Sequence, residues 1–70
     1  MGLRIEVVVN GENRDIPGGL NVRQMIVHLG LDPQRVAVEL NHAIVSKSNW
    51  DAVSVEADAK IEIVEFVGGG

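Results

Sequence analysis

One stretch of this chain, VRQMIVHL at residues 22–29, has the period of a helix, and every other apolar stretch must be fitted around it. Val22, Met25, Ile26 and Leu29 fall on a single stripe. Asn21 stands just ahead, where its side-chain oxygen can accept from the open amides of a first turn. Gly30 suits the left-handed residue that closes a helix, and Asp32-Pro33 prevents its continuation.

The rest reads as strands. LRIEVVV, residues 3–9, puts Leu3, Ile5, Val7 and Val9 on one side, which is the period of a strand with one buried face. Asn10-Gly11 follows, a pair that tolerates the positive φ of a type I′ turn, so ENRDI at 12–16 is the returning strand, polar enough for a sheet edge. Pro17-Gly18-Gly19 breaks the chain before the helix. VAVEL, residues 36–40, predicts a strand whose apolar Ala37 implies cover on much of its surface. Asn41-His42-Ala43 turns it into a short strand at Ile44 and Val45. Residues 46–60 read as irregular, and KIEIVEFV, residues 60–67, is a final strand leading into Gly68, Gly69 and Gly70.

A single helix and a sheet of four or five strands pack economically in one way, with the sheet wrapped on the helical stripe. The last strand lies beside the first only if the two run parallel, with the helical segment as crossover. The expected fold is therefore α+β, the β-grasp of ubiquitin, with one domain at 1–67 and a flexible glycine tail at 68–70.

Composition excludes several chemistries. Seventy residues leave room for one domain, and its core must be aliphatic, because only 3% of the chain is aromatic against 46% hydrophobic overall. The absence of cysteine removes disulfides, zinc ribbons and thiol nucleophiles, and fits a reducing cytosol. No basic leader precedes an apolar run, and no run is long enough for a bilayer, so a cytoplasmic location is expected, with no membrane partner. The formal charge is −4, with Arg4, Arg14, Arg23, Arg35, Lys47 and Lys60 scattered singly, which argues against nucleic acid. Such a charge suits a basic docking surface and equally serves plain solubility.

From residue 20, LNVRQMIVHLGLDPQRVAVELNHAIVSKSNW, with the closing IEIVEFVGGG, resembles the ThiS family, the bacterial sulfur carrier proteins of thiamin (thiazole) biosynthesis. The match lies in the helix ending LGL, the VAVELN strand, the Ile-Val pair followed by a basic residue and then Trp50, and the glycine end. Two places depart from it. Ser46-Lys47 stands where such chains usually have Pro-Arg, and EADAK at 56–60 replaces a Gly-Asp turn, which predicts a less tightly specified turn.

The resemblance implies a carrier and not an enzyme. On this resemblance the carboxylate of Gly70 is expected to be adenylated by a separate E1-like enzyme using ATP and converted to a thiocarboxylate by a sulfur donor such as a cysteine desulfurase, with thiazole synthase receiving the sulfur. Gly68 and Gly69 enter the partners' active sites. Glycine fits that task because it has no Cβ and its φ is unrestricted, and three extended residues reach about 10 Å. No cofactor is bound to the carrier.

Other residues give weaker signals. Phe66 and Val67, beside the tail, and Lys47 are candidate partner contacts. Trp50 is either a docking anchor, as Trp often is at interfaces, or a partly buried cap on an aromatic-poor core. His28 and His42 lack the Asp, Glu or Cys company of a metal site. Ser46, Ser48 and Ser54 lack the setting of a nucleophile, and Glu62 with Glu65 reads as a solvated strand face, so neither a catalytic residue nor a metal is expected. Two other uses of the same tail stay open: sulfur delivery to molybdopterin or other acceptors, and conjugation through Gly70 as a ubiquitin-like modifier.

Overall fold

The computed structural model describes residues 3–67, and the expected tail Gly68–Gly70 lies outside the described residues. The chain runs β1 (Arg4–Val9), β2 (Glu12–Pro17), α1 (Val22–His28), a 3-10 turn at Pro33–Arg35, β3 (Val36–Leu40), β4 (Ala43–Ile44), a second 3-10 turn at Lys47–Asn49, and β5 (Lys60–Glu65). These strands form one sheet in the order β2-β1-β5-β3-β4. The last strand thus sits at the centre, parallel to β1 and antiparallel to β3.

Local chemistry accounts for the boundaries. The Asn21 side chain accepts from the Gln24 amide at 2.8 Å, and the Gln24 side chain accepts from the Asn21 amide at 2.9 Å, a reciprocal capping box. At the other end Gly30 takes φ +79°. Its amide donates to Val27 O and that of Leu31 to Ile26 O, so two carbonyls of the last turn are satisfied. The β1–β2 hairpin turns on Asn10 (φ +50°) and Gly11 (φ +82°), as the type I′ reading requires.

The helical stripe and the inner face of the sheet meet in one core. Val22, Met25 and Ile26 of α1 pack with Val7 and Val9 of β1, Ile16 of β2, Val36 and Val38 of β3, and Ile61 of β5. Burying a side chain of this kind contributes roughly 1.5–3 kcal/mol. The irregular segment contributes more to this core than its sequence indicates: Trp50, Val55 and Ala59 are all buried in it. Trp50 is 0% exposed, so it is a core residue and neither a partial cap nor a docking anchor. Its indole N–H donates to Val45 O at 2.9 Å, which satisfies the one polar atom this large ring brings inside.

Two expectations change. Ala37 is exposed between buried Val36 and Val38, so the first half of β3 alternates and its outer face is not covered as expected, while Glu39 and Leu40 are both half-buried. The turn at 56–59 is closed and tied to the sheet: the Asp58 amide donates to Glu6 O at 2.7 Å and the Ala59 amide to Glu56 O at 3.2 Å. Asp58 holds φ +67°, a conformation glycine adopts more readily and Asp tolerates.

Replacing the cap tests this account of the helix. Asn21→Ala is expected to cost about 1 kcal/mol of unfolding free energy. In urea titration this appears as a lower midpoint with an unchanged slope.

Candidate functional site

The site is organised by β5, because this strand leads from the sheet centre to the C-terminal residues. Its odd residues turn their backbone groups toward β1 and its even residues toward β3. On the β1 side, the Val8 amide donates to Ala59 O and the Asn10 amide to Ile61 O, both at 2.9 Å. On the β3 side, Asn41 N–H donates to Lys60 O at 2.7 Å and Phe66 N–H to Arg35 O at 2.6 Å, so the pairing outlasts the strand by one residue.

Two asparagine side chains complete the ladder where backbone does not. Asn10 accepts from the Ile63 amide at 2.8 Å and donates to Ile63 O at 3.2 Å. Asn41 accepts from the Lys60 amide at 2.9 Å. Both sit at φ near +50° in turns, and each side chain is thereby aimed at β5.

The side chains of β5 alternate with the same period. Ile61 and Ile63 face the helix, while Glu62, Val64 and Phe66 face out. Ala37 and Glu39 of β3 and Ile44 of β4 join them around a shallow groove of about 280 Å³. Ile44 is 78% exposed, Val64 60% and Phe66 54%. The result is an apolar strip between carboxylates, leading toward Val67, which is also exposed. An apolar centre with a charged rim is the usual composition of a protein docking surface. A second depression, lined by Asp32, Gln34, Arg35 and Phe66, shares Phe66 with this groove.

The expected contact residues divide accordingly. Phe66 and Val67 are exposed beside the start of the tail, whereas Gly68, Gly69 and Gly70 lie outside the described residues. Lys47 is exposed, with its ammonium 5.7 Å from the Trp50 ring centroid; the Arg23 guanidinium is 5.5 Å from the same ring and binds Asp51 at 2.8 Å. These cations cover the indole, so Lys47 has a structural neighbour within its own domain. Ile44 and Ala37 are the surface residues that sequence reading missed. The signal was there in part: Val64 and Phe66 alternate with the inward isoleucines, Ile61 buried and Ile63 half-buried, but the pairing that brings Ile44 beside them is not local.

No group of three or more His, Asp or Glu among the described residues is placed to hold a metal ion. No helix among them is long and apolar enough to cross a membrane.

The profile of the ThiS family matches residues 7–70. The chain is 42% identical over 66 residues to part of a thiazole synthase of Paramagnetospirillum magneticum and 38% identical to part of one from Magnetococcus marinus; each match takes in 94% of this chain and 20% of the relative. The chain therefore spans about a fifth of the length of these curated relatives. The crystal structure of a thiamine biosynthesis protein (ThiS) from Geobacter metallireducens superposes with TM-score 0.80 at 30% identity, covering 94% of this chain and all of that one. Its solution structure gives TM-score 0.78 at the same identity, covering 94% and 88%.

The two faces of β5 are expected to respond differently to truncation. Ile61→Ala should cost about 2–5 kcal/mol. Val64→Ala, three residues on, should stay within about 0.5 kcal/mol of wild type in the same denaturation experiment.

Proposed function

The chain belongs to the ThiS family, and from that premise we propose that it carries sulfur for thiazole formation in thiamin biosynthesis, as a thiocarboxylate on Gly70. The observation that supports this most strongly is the reach of the family match to residue 70, at the end of a segment that leaves the sheet from its central strand. A domain built in this way holds Phe66 by its amide to Arg35 O and leaves the proposed chemistry to Gly70.

A carboxylate is a poor electrophile, because its oxygen is a poor leaving group. An adenylating enzyme corrects this by transferring AMP from ATP to the Gly70 carboxylate. The terminal sulfur of a persulfide on a sulfur donor, a cysteine desulfurase or a protein like it, then displaces AMP to give an acyl disulfide. A thiol reductant cleaves its S–S bond, and the resulting thiocarboxylate is an anionic sulfur nucleophile for thiazole synthase. None of these steps asks the carrier for a base or a metal. What it must supply is a thin segment able to enter a cleft, and Gly68 and Gly69 have no Cβ to obstruct close approach of two backbones.

Ordering that segment costs entropy, which contacts from the folded domain must offset. The strip of Ala37, Ile44, Val64 and Phe66 is the surface we assign to this task, in the encounter with the adenylating enzyme. Its rim of Glu39 and Glu62 favours a socket edged with Arg or Lys.

The test is mass spectrometry of the chain after incubation with ATP, a cognate adenylating enzyme and a sulfur source. The expected product gains sulfur in place of one oxygen at its C-terminus. Removing Gly69 and Gly70 should abolish the change while the circular dichroism stays that of the folded domain. Ile44→Lys combined with Val64→Lys should raise the KM for the carrier by about tenfold or more, since charge replaces apolar contact at the centre of the surface. A wild-type chain that remains unmodified while a control carrier reacts would overturn the proposal.

A further inference from the structure

Beyond Ile63, one flank of β5 has no strand beside it among the described residues. Strand β1 pairs with β5 only at Val8 with Lys60 and Val9 with Ile61. Asn10 then turns away into the hairpin, leaving its side chain on Ile63 as the last bond of the ladder. The backbone of Glu65 points to this same side, because its cross-strand position opposite Val36 lies between the bonded positions at Val64 and Phe66. Neither its N–H nor its C=O finds a backbone partner among the described residues. The period carries Val67 to the same flank.

The other edges of the sheet are defended against strand addition and this one is not. Edge strand β2 carries Glu12, Arg14 and Asp15 and ends on Pro17, and edge strand β4 is two residues long. Charge, proline and shortness are the usual means of blunting an edge. The flank at Glu65–Val67 has neither proline nor lysine, and Glu65 and Val67 are both exposed. A short row of open donors and acceptors, bounded below by the Asn10 side chain, fits a single extended peptide.

We propose that this flank is a strand-addition site. An extended segment of the adenylating enzyme pairs with the backbone of Glu65 and Val67, takes the place β1 vacates at Asn10, and continues the sheet toward the tail. The carboxylate of Glu65 is in no ion pair among the described residues, so the complementary segment presents Lys or Arg opposite it. Main-chain pairing of this kind sets the direction of the tail without reading its side chains, which suits a tail of glycines. Asn10 is then a positioning residue: it holds Ile63 and marks where the chain's own sheet stops. This inference rests on the carrier reading for the identity of the partner.

The test removes one N–H. Glu65→Pro deletes a donor that no ladder bond within the described domain uses, so the fold is expected to persist. A backbone ester at residue 65, made by peptide ligation, deletes the same donor without changing shape. Calorimetric titration with the adenylating enzyme should show both variants binding about tenfold or more weakly than wild type. Hydrogen exchange at the Glu65 amide should slow in the wild-type complex. Unchanged affinity in both variants, or an amide that exchanges as fast in the complex as alone, would overturn the inference, and if sulfur transfer to the wild type still proceeds, the carrier reading survives it. Wild-type chain that fails to bind the enzyme at all would defeat both. Self-association of the wild type that is lost in Glu65→Pro would assign the flank to a second copy and overturn the proposal as stated.

Discussion

The parallel pairing of β1 with β5 is the constraint on which the rest of the structure depends. It joins the first strand to the last at the centre of the sheet, through two backbone register pairs and the Asn10 side chain. Parallel neighbours require a long connection, and here that connection holds the helix, the strands β2, β3 and β4, and the irregular segment. The helix is thereby held across the inner face, where Val22, Met25 and Ile26 meet Val7 and Ile61. The same pairing fixes the point from which the C-terminal segment leaves.

A second consequence is a division of labour between the faces of the sheet. Along β3 and β5 each inward residue stabilises the domain and each outward residue is available to a partner, since a strand's period of two separates them cleanly. Ile61, Ile63, Val36 and Val38 belong to the first set; Ala37, Glu39, Glu62, Val64 and Phe66 belong to the second. An apolar outer strip contributes little to stability where it stands in water. An exposed apolar strip of this kind on so small a chain accords with the docking role proposed.

Much of this architecture was legible in the sequence because the signals involved are local. The Asn21 cap, the Gly30 stop, the Asn10-Gly11 turn and the alternation of β1 and β5 each depend on residues within a few positions of one another, and all appear where the sequence places them. What was not legible depends on contacts distant in sequence. Trp50, Val55 and Ala59 sit in a segment without period, so nothing local announces that their side chains fill the core. Ala37 reads as covered because it is apolar, yet it has water on its side of the sheet. The bonds from Asn10 to Ile63 and from Asn41 to Lys60 span 53 and 19 residues, and turn chemistry alone explains those asparagines well enough to hide this second use. For the site, Phe66 and Val67 were legible from their closeness to the glycines, whereas Ile44 reaches the same surface only through the pairing of β4 with β3 and of β3 with β5.

The chemistry proposed for this chain places the reacting atom on Gly70 and gives the domain a single duty, to be recognised and to present that atom. Intact mass of the chain recovered from cells deprived of thiamin tests this most directly. The account predicts free chain with sulfur in place of one terminal oxygen, in a fraction that falls when the adenylating enzyme is deleted. Chain found only as the plain acid, or only joined through Gly70 to lysines of other proteins, would contradict it.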